Sequence, residues 1–174
     1  VSDALAAALG LTVTGPLDPS AGDPEGCRGI GRVGTLPEPE SLAAFAARAA
    51  KALPPTAAGL RVAGDPDRQV RTVAVCGGAG DSLFEAARRS GADVYLTADL
   101  RHHPASEAIE AGSPALVDAA HWATEWPWLD QAARELTAAL AASGTTVETY
   151  VSRLPTDPWA FHVPQQHSPQ AATP

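Results

Sequence analysis

The chain reads as an α/β protein, a mostly parallel sheet with flanking helices. Two observations predict this. From Arg71 onward, short apolar runs alternate with helical patterns. Those runs are also apolar at nearly every position, as strands covered on both faces are. The chain's 174 residues suit one domain of ordinary size, and a hydrophobic content of 45% is enough for a real core.

The elements follow in order. Ser2 and Asp3 look like a helix N-cap, with Leu5 and Leu9 at helical spacing and Gly10 as the stop. Residues 14–35 are rich in Gly and Pro and predict irregular structure with one short strand near 29–33. Pro37 and Pro39 lead into a helix that presents Leu42, Phe45, Ala46 and Ala49 on one face and stops before Pro54 and Pro55. Residues 60–63 predict a short edge strand, and the Gly-Asp-Pro-Asp that follows predicts a turn. Residues 72–76 form the first apolar run, 77–80 a glycine break, and 81–90 a helix closed by Gly91. Residues 93–97 are the second run, followed by a short helix over 104–111. Residues 115–118 are the third run, with a long Ala- and Leu-rich helix after it that ends before Gly144. Residues 146–151 are a fourth run, expected to be a further strand. The division expected is 1–68 as a linking helix and irregular segment, 69–158 as the α/β unit with the site, and 159–174 as a disordered tail poor in apolar residues.

Composition excludes several functions. Lys and Arg number 12 against 20 Asp and Glu, a net charge of -8, so nucleic acid held on a broad basic face is not expected. No apolar run approaches the length of a membrane span, and the first residues lack the basic start of a signal peptide. Cys27 and Cys76 lie far apart, which excludes a disulfide scaffold and points to a reducing, cytoplasmic setting.

Ligands of open α/β sheets gather at the carboxyl ends of the strands. Three such loops carry chemistry here: the glycines after Cys76, the segment from Asp99 to His103, and the segment holding His121 and Glu125. His121 and Glu125, one helical turn apart, can ligate one divalent ion through an imidazole nitrogen and a carboxylate oxygen. A helix-start His beside a Glu favoured by the helix dipole accounts for the same residues without metal. Asp99, His102 and His103 can supply a further ligand, a general base or a substrate contact; a turn-capping Asp and a surface His are the plain alternative. The Gly-Gly-Ala-Gly-Asp stretch matches no phosphate loop and reads first as tight backbone turning. Cys76 reads as a packed small residue. Trp122, Trp126 and Trp128 read as core or subunit-contact residues.

Three ordered blocks carry a family resemblance: Val-Ala-Val-Cys-Gly-Gly-Ala-Gly-Asp-Ser, Gly-Ala-Asp-Val-Tyr-Leu-Thr-Ala-Asp-Leu-Arg-His-His, and Leu-Val-Asp-Ala-Ala-His-Trp-Ala-Thr-Glu. Together they resemble the Nif-three-like family, whose members are labelled GTP cyclohydrolase I type 2 homologues or dinuclear-metal-centre hexameric proteins. The resemblance runs from Val1 to about Pro158. It implies two related α/β halves, of which this chain is the second, with two divalent metals per complete subunit (zinc, iron or manganese) between them and a ring-shaped homo-hexamer. Ala98 and Ala120 stand where the family commonly has Gly. His121 and Glu125 map onto the second half's metal ligands, while the family's His-His pair and Asp belong to a segment that would precede Val1. His103, and behind it His102, would be the nearby acid/base or substrate contact.

The function expected of the complete protein is a cytoplasmic metal-dependent hydrolase acting on a small molecule. The rival readings are a non-catalytic metal-binding or chaperone-like assembly protein and a partner-binding regulator. This chain alone is expected to bind metal weakly, to lack activity, and to expose apolar surface where a first half would pack.

Overall fold

A computed structural model describes residues 1–164. The alternation after Arg71 becomes the centre of one six-stranded sheet. Its strands are β1 (Thr12–Gly15), β4 (Arg32–Ser41), β5 (Arg61–Ala63), β6 (Gln69–Ala79), β7 (Val94–Ala98) and β8 (Ala115–Ala119). Their order is β1-β4-β6-β7-β8-β5. β6, β7 and β8 run parallel, while β4 pairs antiparallel with β6, β1 with β4, and β5 with β8. Four of the six strands therefore share one direction. A two-stranded ribbon, β2 (Asp18–Pro19) with β3 (Gly29–Ile30), spans part of the Gly- and Pro-rich segment.

Alternation along the parallel strands fills both faces, because successive side chains point to opposite sides. Val73, Val75, Val94, Leu96, Val117 and Ala119 join one buried cluster with Leu5 and Leu9 of α1 (Ser2–Ala8 and its cap) and with Leu42, Phe45 and Ala49 of α2 (Leu42–Ala52). Ala74, Cys76, Tyr95 and Leu116 face the other way and meet Leu83, Ala86 and Ala87 around α3 (Phe84–Arg89). α2 begins where the Ser41 hydroxyl accepts the Ala44 N–H at 3.2 Å. The remaining helices are α4 (His102–Glu110), α5 (His121–Glu125) and α6 (Trp128–Ala142).

Four local expectations are corrected. α1 starts at Ser2 rather than being capped by it, and the Ser2 hydroxyl instead accepts the Gly77 N–H at 3.4 Å. β4 runs through Pro37 and Pro39; prolines cannot donate to a ladder, and the register with β6 accordingly shifts between Thr35 and Glu40. The glycine break is no loop, since β6 continues through it to Ala79 with a bulge between Val75 and Ala79. The fourth run, 146–151, forms no strand. The free edge of β8 is taken by β5, as the edge-strand expectation for 60–63 had it, and Tyr150 is 89% exposed. The expected tail lies mostly outside the described residues; its first part, 159–164, holds neither helix nor strand. Among the described residues no helix is long and apolar enough to cross a membrane.

Candidate metal centre

The carboxyl ends of β6, β7 and β8 meet at one rim, which brings together Gly78, Asp99, His121 and Glu125. α5 begins directly after β8, so His121 sits at its first position and Glu125 one turn later. His121 Nε2 and Glu125 Oε1 are 3.5 Å apart. That is long for a hydrogen bond between nitrogen and oxygen. Two donors about 2.1 Å from a tetrahedral zinc are separated by about 3.4 Å, so the pair is spaced to share an ion.

Gly78 forms the floor beneath them. Its φ is +77°, and a Cβ there would lie 2.9 Å from Glu125 Oε1 and 3.1 Å from His121 Nε2. Any other residue would fill the space a shared cation needs. The glycine is held from both sides by Thr97 and Thr124, both fully buried. Thr124 Oγ1 accepts the Gly78 N–H at 2.9 Å and donates to the His121 carbonyl at 2.8 Å, while Thr97 Oγ1 donates to the Gly78 carbonyl at 2.9 Å. Tyr95 adds a hydrogen bond to the Gly80 carbonyl at 3.0 Å. These four bonds hold the bulge that sequence alone presents as a break.

Asp99 approaches His121 from the opposite side, its Oδ2 lying 2.6 Å from Nδ1. This contact holds the imidazole above its ordinary pKa against the opposing effect of burial, with the charge of Glu125 adding to the rise. Cys76 is buried one strand position before the glycines, and burial pushes its thiol up, which disfavours a nucleophilic thiolate.

The expected residues divide. His121 and Glu125 face one another as the metal reading requires. His102 and His103 open α4, are exposed, and stack loosely with ring centroids 5.2 Å apart. Neither makes a hydrogen bond or ion pair with His121, Glu125 or Asp99. His102 lines a different hollow, with Leu100, Ser106 and Ile109. A cavity of about 700 Å³ opens beside His121 instead, bordered by Arg61, Asp99, Asp118, Asp157 and Trp159. Among the described residues, no three His, Cys, Asp or Glu side chains converge to hold a metal ion. The chain thus offers two donors and an open floor. Spacing alone did not disclose Gly78, Thr97 and Thr124; their signal is a glycine pair at a strand end together with buried threonines on two other elements.

The fold and this rim define an α/β protein with a polar crevice at the carboxyl edge of its parallel strands, of the kind in which such sheets bind ligands. The chain belongs to the family described as Duf34/NIF3 (NGG1p interacting factor 3), whose model matches residues 1–158. It is 56% identical over 163 residues to a Streptomyces coelicolor protein named GTP cyclohydrolase 1 type 2 homolog, with 94% of this chain and 57% of that protein covered. A Mycobacterium leprae protein of the same name is 54% identical over 136 residues, covering 78% of this chain and 34% of its own length. The crystal structure of a Bacillus cereus protein related to NIF3 superposes with a TM-score of 0.70 at 34% identity, covering 77% of this chain and 36% of that one. The chain spans little more than half the length of the first of these relatives, and about a third of the other two.

Proposed function

We propose that this chain supplies His121 and Glu125 to a divalent-metal centre of a cytoplasmic hydrolase, and that the cavity beside His121 receives the substrate. The observation that carries the reading is the glycine floor: Gly78 is clamped by two buried hydroxyls in the one place where a side chain would fill the gap between the two donors.

A bound divalent cation would supply Lewis acidity and a water acidified toward neutral pH. The chain's own residues do the rest. His121 offers Nε2 and Glu125 offers Oε1 from one face of α5. Thr124 ties the α5 backbone to β6, so the two donors keep their spacing relative to the floor. Arg61 and Asp157 border the cavity with opposite charges, suited to orienting a polar small molecule. Two donors leave most of a coordination sphere open. We assign the remaining ligands, a second metal and the hexameric ring to the complete protein. His103 and His102, exposed at the start of α4, border neither this cavity nor the two donors, so an acid/base or substrate role for them is proposed only within the complete protein. The name shared by the curated relatives makes hydrolytic opening of a purine nucleotide ring the first substrate class to test.

The test is cobalt titration of the chain followed by visible absorption. Wild type is expected to bind weakly but saturably, whereas His121→Ala and Gly78→Ala are each expected to lose binding at least tenfold. Equal binding by all three proteins would remove the site.

A further inference from the structure

Asp99 is the one described residue other than glycine with a left-handed backbone, at φ +58°. Aspartate tolerates this region better than most residues, yet it is still a costly conformation that persists only where its surroundings fix it. The surroundings here are specific. The Leu100 N–H donates to Asp118 Oδ1 at 3.1 Å, and Arg61 Nη2 donates to the Leu100 carbonyl at 3.1 Å. Arg61 also donates through Nε to Asp118 Oδ2 at 2.8 Å. β5 and β8 thus fasten the residue after Asp99, and the turn directs the Asp99 carboxylate to His121 Nδ1 at 2.6 Å.

An ionised carboxylate can only accept, so this contact requires a proton on Nδ1, and in the neutral imidazole that leaves the Nε2 lone pair free. Nε2 is the nitrogen that faces Glu125. Asp99 lies on the opposite ring nitrogen from the gap over Gly78, and it makes no third donor there. We propose that Asp99 is a positioning residue that fixes the tautomer and ring plane of His121 while staying off the metal. The role rests on the metal reading above and goes beyond it, because it divides three polar residues into two donors and one orienter. Partners of this kind on ligating histidines typically govern metal affinity by 10–100-fold.

The experiment uses the 174-residue chain and two substitutions. Asp99→Gly removes the carboxylate at a residue whose left-handed φ glycine adopts freely. Asp99→Asn keeps the shape and removes the charge. In metal-free, nitrogen-15-labelled protein, long-range proton–nitrogen correlation at a pH where His121 is neutral distinguishes the two ring nitrogens. Wild type is expected to carry the proton on Nδ1, and Asp99→Gly to shift it toward Nε2, the form favoured by an unconstrained imidazole in water. Cobalt affinity is expected to fall about 10–100-fold in Asp99→Gly and less in Asp99→Asn, with the saturated visible spectrum unchanged in shape. Three results overturn the proposal: a wild-type proton on Nε2, equal cobalt affinity and tautomer in wild type and Asp99→Gly, or a saturated spectrum that changes as it would on losing a ligand. Failure of the metal reading looks different, because wild type itself then binds no cobalt, and the role given to Asp99 falls with it.

Discussion

The rim around Gly78 and the surface from Trp128 onward follow opposite rules. At the rim several hydrogen bonds cross from one element to another: Ser2 to Gly77, Thr124 to Gly78, Thr97 to Gly78, Asp99 to His121. Beyond Pro127 the pattern reverses. α6 buries none of its fifteen residues, and Leu136, Tyr150, Leu154 and Phe161 stand exposed. A cavity of about 660 Å³ lies there between α1 and α6, bordered by Trp122, Trp126, Pro54 and Arg153, and it shares no lining residue with the cavity beside His121. The six-stranded sheet and the two proposed donors thus lie within residues 1–125, while the later segment adds apolar surface and little internal packing. Large apolar side chains are exposed elsewhere too, at Val13, Ile30, Val62 and Ile109.

Substitutions should divide along the same boundary. The largest effect is expected at Thr124. Thr124→Val keeps the shape but leaves the buried Gly78 N–H and its own neighbourhood without the hydroxyl, a loss of about 1–3 kcal/mol that urea denaturation should register. A loss below about 0.5 kcal/mol would mean that the clamp is not needed for the bulge.

How much of this was legible in the sequence follows from where the bonds lie. The parallel strands were readable because alternating apolar residues must fill two faces, and α2 because Leu42, Phe45 and Ala49 repeat at helical spacing. The Gly77–Gly78 bulge was not, because the groups that hold it lie 19 and 46 residues away on β7 and α5. The prolines in β4 gave a true local signal with the wrong extent, since an antiparallel strand can carry them where its register slips. Residues 146–151 have a strand's composition and no neighbour among the described residues to pair with, and composition cannot supply a neighbour. His121 and Glu125 were legible as a pair from their four-residue spacing. Asp99 was visible only as one member of a cluster, because its role depends on a backbone conformation that spacing does not reveal.

A smaller effect should appear as a pH dependence on the buried side of the same comparison. The folded state raises the Cys76 thiol, so above the unfolded pKa of about 8.5 the unfolded chain holds fewer protons and stability falls as pH rises. Stability from Cys76 should be flat through neutral pH and decline on the alkaline side, and Cys76→Ala should make that decline shallower. Native protein should also show one readily titrated thiol, the exposed Cys27, until it unfolds. The smallest effect is expected on α6: Leu136→Ser, at a residue 53% exposed, should change stability by less than about 0.5 kcal/mol and leave cobalt binding untouched.

The most direct measurement is an anomalous-diffraction map from crystals of the chain soaked in zinc. A peak is expected about 2.0–2.2 Å from both His121 Nε2 and Glu125 Oε1, above the Gly78 Cα, with Asp99 still bonded to Nδ1. A map with no density between those two atoms, or zinc bound at His102 and His103 instead, would contradict it.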